Sequence, residues 1–307
     1  MKKAILQTNN LVKFYHNVKA LDGVSISLEA GHIYGFIGEN GAGKTTLMRI
    51  LTGLTFPTSG SFSIFGKESP GDMRMIRRRI GSTIEEPTLY PEFSAYRNLE
   101  LQRILLGNPD KSVCDELLKL LDLYEVRGRK VKEFSMGMRQ RLGIALALLG
   151  KPELLILDEP VNGLDPKNIS ALRSLLKKLN EERGITMLIS SHILNELYLL
   201  ATDYMIIHKG RVIETLSHKE LEEKCESYVK ISTDSLSRCV TVLERELQIF
   251  DYKAVDDHTL HVYGFTEEPQ RISQALMRNH IVIGEMSVCA QSLEEYFLSV
   301  TGGKRHD

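Results

Sequence analysis

The residues best suited to chemistry lie in GENGAGKTT, residues 38–46. Gly38, Gly43, Lys44 and Thr45 meet the pattern GxxxxGK[ST], between the apolar run HIYGFI and the helical run LMRILTGL. Strand, loop and helix in that order are what a phosphate-binding loop requires. Glycines reach positive φ and carry no Cβ, so successive N–H groups converge on phosphate oxygens at a helix N-terminus. Lys44 would reach the β- and γ-phosphates, and the Thr45 hydroxyl would ligate Mg²⁺. Asn40, Gly41 and Thr46 complete the expected nucleotide-binding set. The bland alternative is a glycine-rich turn that only joins strand to helix. With its flanking runs the loop reads as a site for a nucleoside triphosphate, which leaves kinases, GTPases and motors open.

A second stretch, LLILDEP at 154–160, is an apolar strand ending in two acids. Such a strand end places Asp158 near the metal and Glu159 beside the attacking water, as general base. Taken alone, it also fits a buried strand with two polar end residues. His192 follows the strand-type run TMLIS at 186–190, and that place sets it apart from His258, His261 and His280, which read as surface residues.

These groups need a scaffold, and the chain is long enough to supply one. Its 307 residues, 42% hydrophobic, accommodate one large domain and a smaller one. A formal net charge of −1 gives no reason to expect nucleic acid, and the basic run RMIRRR reads as a solvated helix face. Cys114, Cys225, Cys239 and Cys289 form no CxxC pair, which argues for reduced thiols. No apolar stretch approaches the roughly 20 residues that span a bilayer, and MKKAILQTNN lacks the apolar core of a signal peptide. Any role at a membrane must come through a partner.

Residues 1–65 alternate β-like runs (AILQTNNLVKFY, VSISL, HIYGFI, SFSIF) with turns, which predicts a strand-rich lobe around the phosphate loop. After an SPGD turn at 69–72, residues 73 to about 150 read as mostly helical, as in DELLKLLDLYEV, with a helical subdomain at about 90–150. LLILD, the helix ISALRSLLKKLNEERG and TMLIS then form a βαβ unit, hence a parallel sheet. Beyond about residue 224, YVKIST, HTLHVYGF and HIVIGEM alternate with two helical segments. The expected division is therefore 1–224 and a small α/β domain at 225–307.

In order along the chain, FSMGMRQRLGIALALL (134–149), LLILDEP, NGLDP (162–166) and SSHILNE (190–196) follow the phosphate loop. This succession resembles the signature, Walker B, D-loop and switch histidine of ABC ATPases, over residues 5 to about 217. The resemblance implies a P-loop α/β fold that binds ATP and Mg²⁺, with Thr45, Asp158 and Glu85 at the metal. Glu159, His192 and Glu85 would be catalytic. Tyr15 of LVKFY would stack on adenine, a packed strand tyrosine being the alternative. Ser135 and Gly137 would close on nucleotide held by a second copy of the chain, and Asp165 would join that interface. Met136 and Met138 depart from the family's LSGGQ.

The segment IGSTIEEPTLYPEFSAYRNLEL (80–101) corresponds to the family's Q-loop, with Glu85, or Glu86 one position on, in place of glutamine. With the signature and a terminal SLEEYFLSVTGG, it resembles the ATPase subunits of bacitracin and lantibiotic self-protection exporters. That implies an ATP-sandwich homodimer at the cytoplasmic face of the membrane, bound to permease subunits that alone meet the peptide. A generic exporter or drug-efflux ATPase is the alternative. Soluble ABC ATPases resemble paired cassettes or carry long coiled-coil insertions, and this chain has neither.

Overall fold

The computed structural model describes residues 4–68, 73–225, 227–290 and 293–302. The SPGD turn, and Ser292 and Gly303 of the terminal run, lie outside them. The chain divides into two compact units, Met1–His218 and Lys219–Asp307, a few residues ahead of the change of pattern at 224 in the sequence.

The first unit holds two sheets. In one, Val18–Val24, Ala4–Tyr15, Ser59–Ile64 and Lys67–Glu68 pair in that order, Ser27–Glu29 also pairs with Ala4–Tyr15, and the pairings are antiparallel. The other runs Arg211–Ser217, Asp203–His208, Ile33–Ile37, Thr186–Ser191, Leu154–Leu157, Ile80–Thr83. Its neighbours are parallel except at Arg211–Ser217, which runs against Asp203–His208. IYGFI, LLIL and TMLISS are buried along their whole length, as strands covered on both faces must be. HIYGFI therefore belongs to this central sheet and not to the strand-rich lobe.

The crossover helix Pro166–Arg183 shows why it starts and stops where it does. Asp165 caps its first turn, proline opens it, and Gly184 closes it in a left-handed conformation. The register then aligns the strand ends: Ile37 pairs with Ser191, Leu157 with Ile189, and Thr83 with Leu157. Parallel strands present their carboxyl ends at one edge, where a ligand is received.

The expected helical stretch is interrupted. The helix Met73–Arg77 is five residues long, and RMIRRR runs out of it into the strand Ile80–Thr83. The Arg79 guanidinium lies 3.7 Å from the Phe65 ring centroid and pairs with Glu153, so this end of the run is not simply solvated. Helices Ala95–Leu105, Ser112–Leu120 and Met136–Leu148 follow.

In the second unit, after the helix His218–Lys224 and before the helix Leu293–Thr301, the order is β-α-β-β-α-β: Ser227–Ser232, helix Leu236–Leu247, Tyr252–Ala254, Thr259–Tyr263, helix Pro269–Arg278 and Glu285–Ala290. Its strands form an antiparallel sheet in the order Tyr252–Ala254, Thr259–Tyr263, Ser227–Ser232, Glu285–Ala290, which is the split, ferredoxin-like arrangement. Val229, Ile231, Leu260 and Val262 meet Cys239, Leu243, Ile272 and Leu276 from the helices in one core. HIVIGEM is mostly the loop ahead of the last strand, with Ile281 buried from it.

Candidate active site

The phosphate loop leaves the end of Ile33–Ile37 and enters the helix Lys44–Leu51. Two of its glycines are sterically required. A Cβ on Gly38 would come 2.7 Å from the Ile207 carbonyl oxygen, and one on Gly43, at φ 113°, 2.7 Å from that of Ala20. Gly41 also has positive φ, at 80°, while Asn40 is exposed and Thr46 half-buried at the start of the helix. Lys44 is buried, and its ammonium donates to the carbonyls of Gly38 at 2.6 Å and Glu39 at 3.2 Å.

The carboxyl ends of Leu154–Leu157 and Thr186–Ser191 bring the other groups to this loop. The Thr45 hydroxyl donates to Asp158 Oδ2 at 2.7 Å, across 113 residues of sequence. Ser190 donates to Asp158 Oδ1 at 2.6 Å and accepts the Glu159 backbone N–H at 2.9 Å. Glu159 Oε2 meets His192 Nδ1 at 2.7 Å, and its Oε1 lies 3.4 Å from Lys44 Nζ. Oε1 is buried without a hydrogen-bond donor. Glu159 has a φ of 49°, rare for a residue with a side chain. Lys44, Thr45, Asp158, Glu159 and His192 thus form one connected cluster.

Other expected residues lie around it. Glu85 sits just beyond Ile80–Thr83 with a φ of 60°, and its carboxylate pairs with Arg49 at 3.0 Å. Its partner Arg49 lies four residues after Thr45 on the helix Lys44–Leu51, and among the described residues no bond joins Glu85 to Asp158. Tyr15 ends its strand half-exposed, with the Lys13 ammonium 4.9 Å from its ring centroid. Ser135 caps Met136–Leu148 by accepting the Met138 N–H, and Gly137 is buried against Asn168 and Leu164. Asp165 accepts the Asn168 N–H at 2.9 Å and its side-chain amide at 2.6 Å, and these donors hold its carboxyl below the ordinary value of 3.8.

Ser190 was not singled out in the sequence, although it begins SSHILNE. The available signal was a hydroxyl at the end of a strand whose every residue is buried. A cleft of about 420 Å³, lined by Ser82, Glu86, Pro87, Tyr90, Leu105 and Gly143 among others, includes none of the cluster residues in its walls.

Residues 21–162 match the family described as ABC transporter. The bacitracin transport ATP-binding protein of Bacillus licheniformis is 40% identical over 97% of this chain and 98% of its own length. The chain belongs to the ABC transporter ATP-binding proteins. The lantibiotic transport ATP-binding protein of Streptococcus pyogenes is 45% identical over 68% of this chain and 89% of its own. A dimeric ATP-binding cassette bound to ADP and phosphate superposes with a TM-score of 0.64 and 28% identity, over 69% of this chain and 98% of that one.

This ABC protein is therefore an ATP-hydrolysing subunit of a transporter, and dimeric cassettes agree with its working as a pair. The matched residues 21–162 include the phosphate loop and the acids at 158 and 159. No helix among the described residues is long and apolar enough to cross a membrane.

Proposed function

We propose that two copies of this chain sandwich two ATP molecules and drive export of an antimicrobial peptide of the bacitracin or lantibiotic kind. The observation that carries the chemistry is the Glu159 carboxylate, held between His192 and Lys44 with one oxygen lacking a hydrogen-bond donor. Glu159 acts as the general base toward water. His192 orients that carboxylate and the γ-phosphate, Lys44 turns from its carbonyls to the phosphates, and Tyr15 stacks on adenine. Ser135, Gly137 and Asp165 face the nucleotide of the partner copy.

The donor set fits Mg²⁺. Among the described residues no three of His, Cys, Asp and Glu gather as a metal site, but Mg²⁺ keeps several waters and takes one or two protein oxygens beside substrate phosphates. Thr45 and Asp158 supply hard oxygens 2.7 Å apart, with Glu85 as a further carboxylate. The ion would neutralise charge on the phosphate oxygens.

Peptide export is supported by the two relatives named for bacitracin and lantibiotic transport. The ATPase sits at the cytoplasmic face of the membrane through permease subunits, for which the cleft beside Glu86 and Tyr90 is the docking place, and these subunits meet the peptide. The domain at 225–307 is an accessory to this motor.

Two substitutions test the chemistry. Lys44→Ala should weaken nucleotide binding, whereas Glu159→Gln should leave binding intact and slow hydrolysis by about 10² to 10⁴. Glu159→Gln should also elute as a dimer with ATP and a monomer with ADP, and both variants should abolish resistance in cells exposed to the peptide. Near-normal turnover in Glu159→Gln removes Glu159 from its role.

A further inference from the structure

A second cleft, also of about 420 Å³, lies at the amino ends of the central strands, opposite the phosphate loop. Pro152, Ile185 and Thr186 supply its walls where Leu154–Leu157 and Thr186–Ser191 begin, and Ile5, Phe65 and Leu148 complete the apolar lining. At about 3.3 Å per residue, the step from Glu153 to Asp158 separates this cleft from the nucleotide site by about 16 Å. Leu148, Pro152 and Ile185 are buried, and Ile5 and Phe65 are half-buried. The Thr186 hydroxyl already accepts the Gly31 N–H at 2.8 Å. The Asn180 amide donates to the Gly31 and Ile185 carbonyls at 2.9 and 2.8 Å, which ties the two walls together. The cleft is therefore preformed, and its volume is that of a small-molecule site.

Its charges are unbalanced. Glu153 is engaged by Arg79 through two bonds, at 2.5 and 2.7 Å. Lys151 and Arg183 also stand in the walls, both exposed, and among the described residues neither is in an ion pair. Asp110, held low first by the Ser112 hydroxyl, feels the Lys151 charge without pairing with it. The helices Met136–Leu148 and Pro166–Arg183 end here, and each end carries about half a negative charge. Two full positive charges outweigh those two ends, so the mouth is electropositive above an apolar floor.

We propose that this cleft binds a small amphipathic acid, a carboxylate on an apolar chain of about six to ten carbons. The carboxylate is received by Lys151 and Arg183, and the chain lies on Leu148, Pro152 and Ile185. A bare phosphate would leave the apolar walls uncovered, and an amphipathic cation would meet both cations at the mouth. The site is separate from that of ATP and independent of what the transporter carries.

The test is calorimetric titration of the full-length chain with octanoate. One octanoate should bind per chain, and saturating ADP with Mg²⁺ should leave its affinity unchanged. Hexanoate, with two fewer buried methylenes, should bind about tenfold more weakly. Octylammonium, which has the same chain with the opposite charge, and acetate, which has the head alone, should give no binding. Lys151→Asn together with Arg183→Gln should weaken octanoate about tenfold or more, with ATP hydrolysis unchanged. Asparagine suits the left-handed backbone at 151, where φ is 49°. Cations that serve only the helix ends would give a double variant of lower melting temperature that binds octanoate as before, and that result overturns the proposal. So do absence of octanoate binding, equal affinity for octylammonium, or displacement by ADP. The comparison of probes uses the unaltered chain, so it decides the matter even where the double variant does not fold.

Discussion

Replacing Ser190 by alanine removes one hydroxyl that serves two buried partners. Ser190 is fully buried and Asp158 is 2% exposed. The hydroxyl donates to Asp158 at 2.6 Å and accepts from the Glu159 N–H at 2.9 Å. Loss of a hydrogen bond to a charged group costs about 1.5–3 kcal/mol, and an N–H left without an acceptor about 1 kcal/mol or more. Ser190→Ala should therefore destabilise the first unit by about 3 kcal/mol. At about 2–4 °C per kcal/mol for a unit of this size, its melting temperature should fall by about 9 °C. The kinetic consequence is distinct, since the Glu159 backbone loses an anchor while the phosphate loop keeps its own. Hydrolysis should fall further than ADP affinity. Thermal unfolding followed by circular dichroism measures the first effect, with Ser174→Ala as control, because that exposed hydroxyl donates to the Ser170 carbonyl of its own helix at 3.0 Å. The control should shift stability by less than about 0.5 kcal/mol. Equal melting temperatures for Ser190→Ala and Ser174→Ala would refute the reasoning.

Glu85→Ala should abolish peptide resistance in cells while leaving ATP binding and stability nearly intact, since an exposed pair such as Arg49–Glu85 contributes about 1 kcal/mol or less. Glu85→Gln should be milder, full resistance in Glu85→Ala removes the role, and loss confined to Glu86→Ala moves it one residue along. Asp165 should make the crossover helix sensitive to acid. Its carboxyl is lowered first by the Asn168 N–H and then by the Asn168 side chain, so its capping contribution is present above the ordinary aspartate range and is lost as pH falls through the lowered value. Asp165→Asn keeps an N-cap without a charge, and acid-melting profiles identical to wild type would count against this.

The parts of the site legible in the sequence are those whose chemistry is local. Gly38, Gly43, Lys44 and Thr45 are contiguous, and Asp158 and Glu159 end an apolar run. The strand Ile80–Thr83 was not legible because its four residues carry no alternation or apolar run. It is a strand because Leu154–Leu157 pairs with it, and because Gly81 admits the helix so closely that a Cβ there would come 2.3 Å from the Ala147 carbonyl oxygen. Neither partner is local. Tyr252–Ala254 escaped notice for the same reason, being three residues held at a sheet edge by Thr259–Tyr263. The Arg49–Glu85 pair joins residues 36 apart, beyond any local pattern. The βαββαβ order of the second unit became visible only once that short strand was placed, and such a fold by itself names no function.

The backbone at Glu159 bears on its role independently of its hydrogen bonds. The chain turns left-handed there, at φ 49°, directly after a buried parallel strand. Glycine would adopt that conformation at less cost, and any other residue stores strain in it. Folding alone therefore favours glycine at 159, and the carboxylate must be explained by what it does. The turn itself is held from both sides, by Ser190 on the Glu159 N–H and by the Asn162 N–H on its carbonyl. These two bonds set the side chain between Lys44 and His192, so the strain is sustained at the residue proposed above as the base. Glu85, at φ 60° and a short step beyond the neighbouring strand, carries the same conformational cost without so enclosed a setting. For the same reason a glycine there would fold as well or better, and the cell assay with Glu85→Ala separates a side chain kept for coupling to the membrane subunits from one that serves only Arg49.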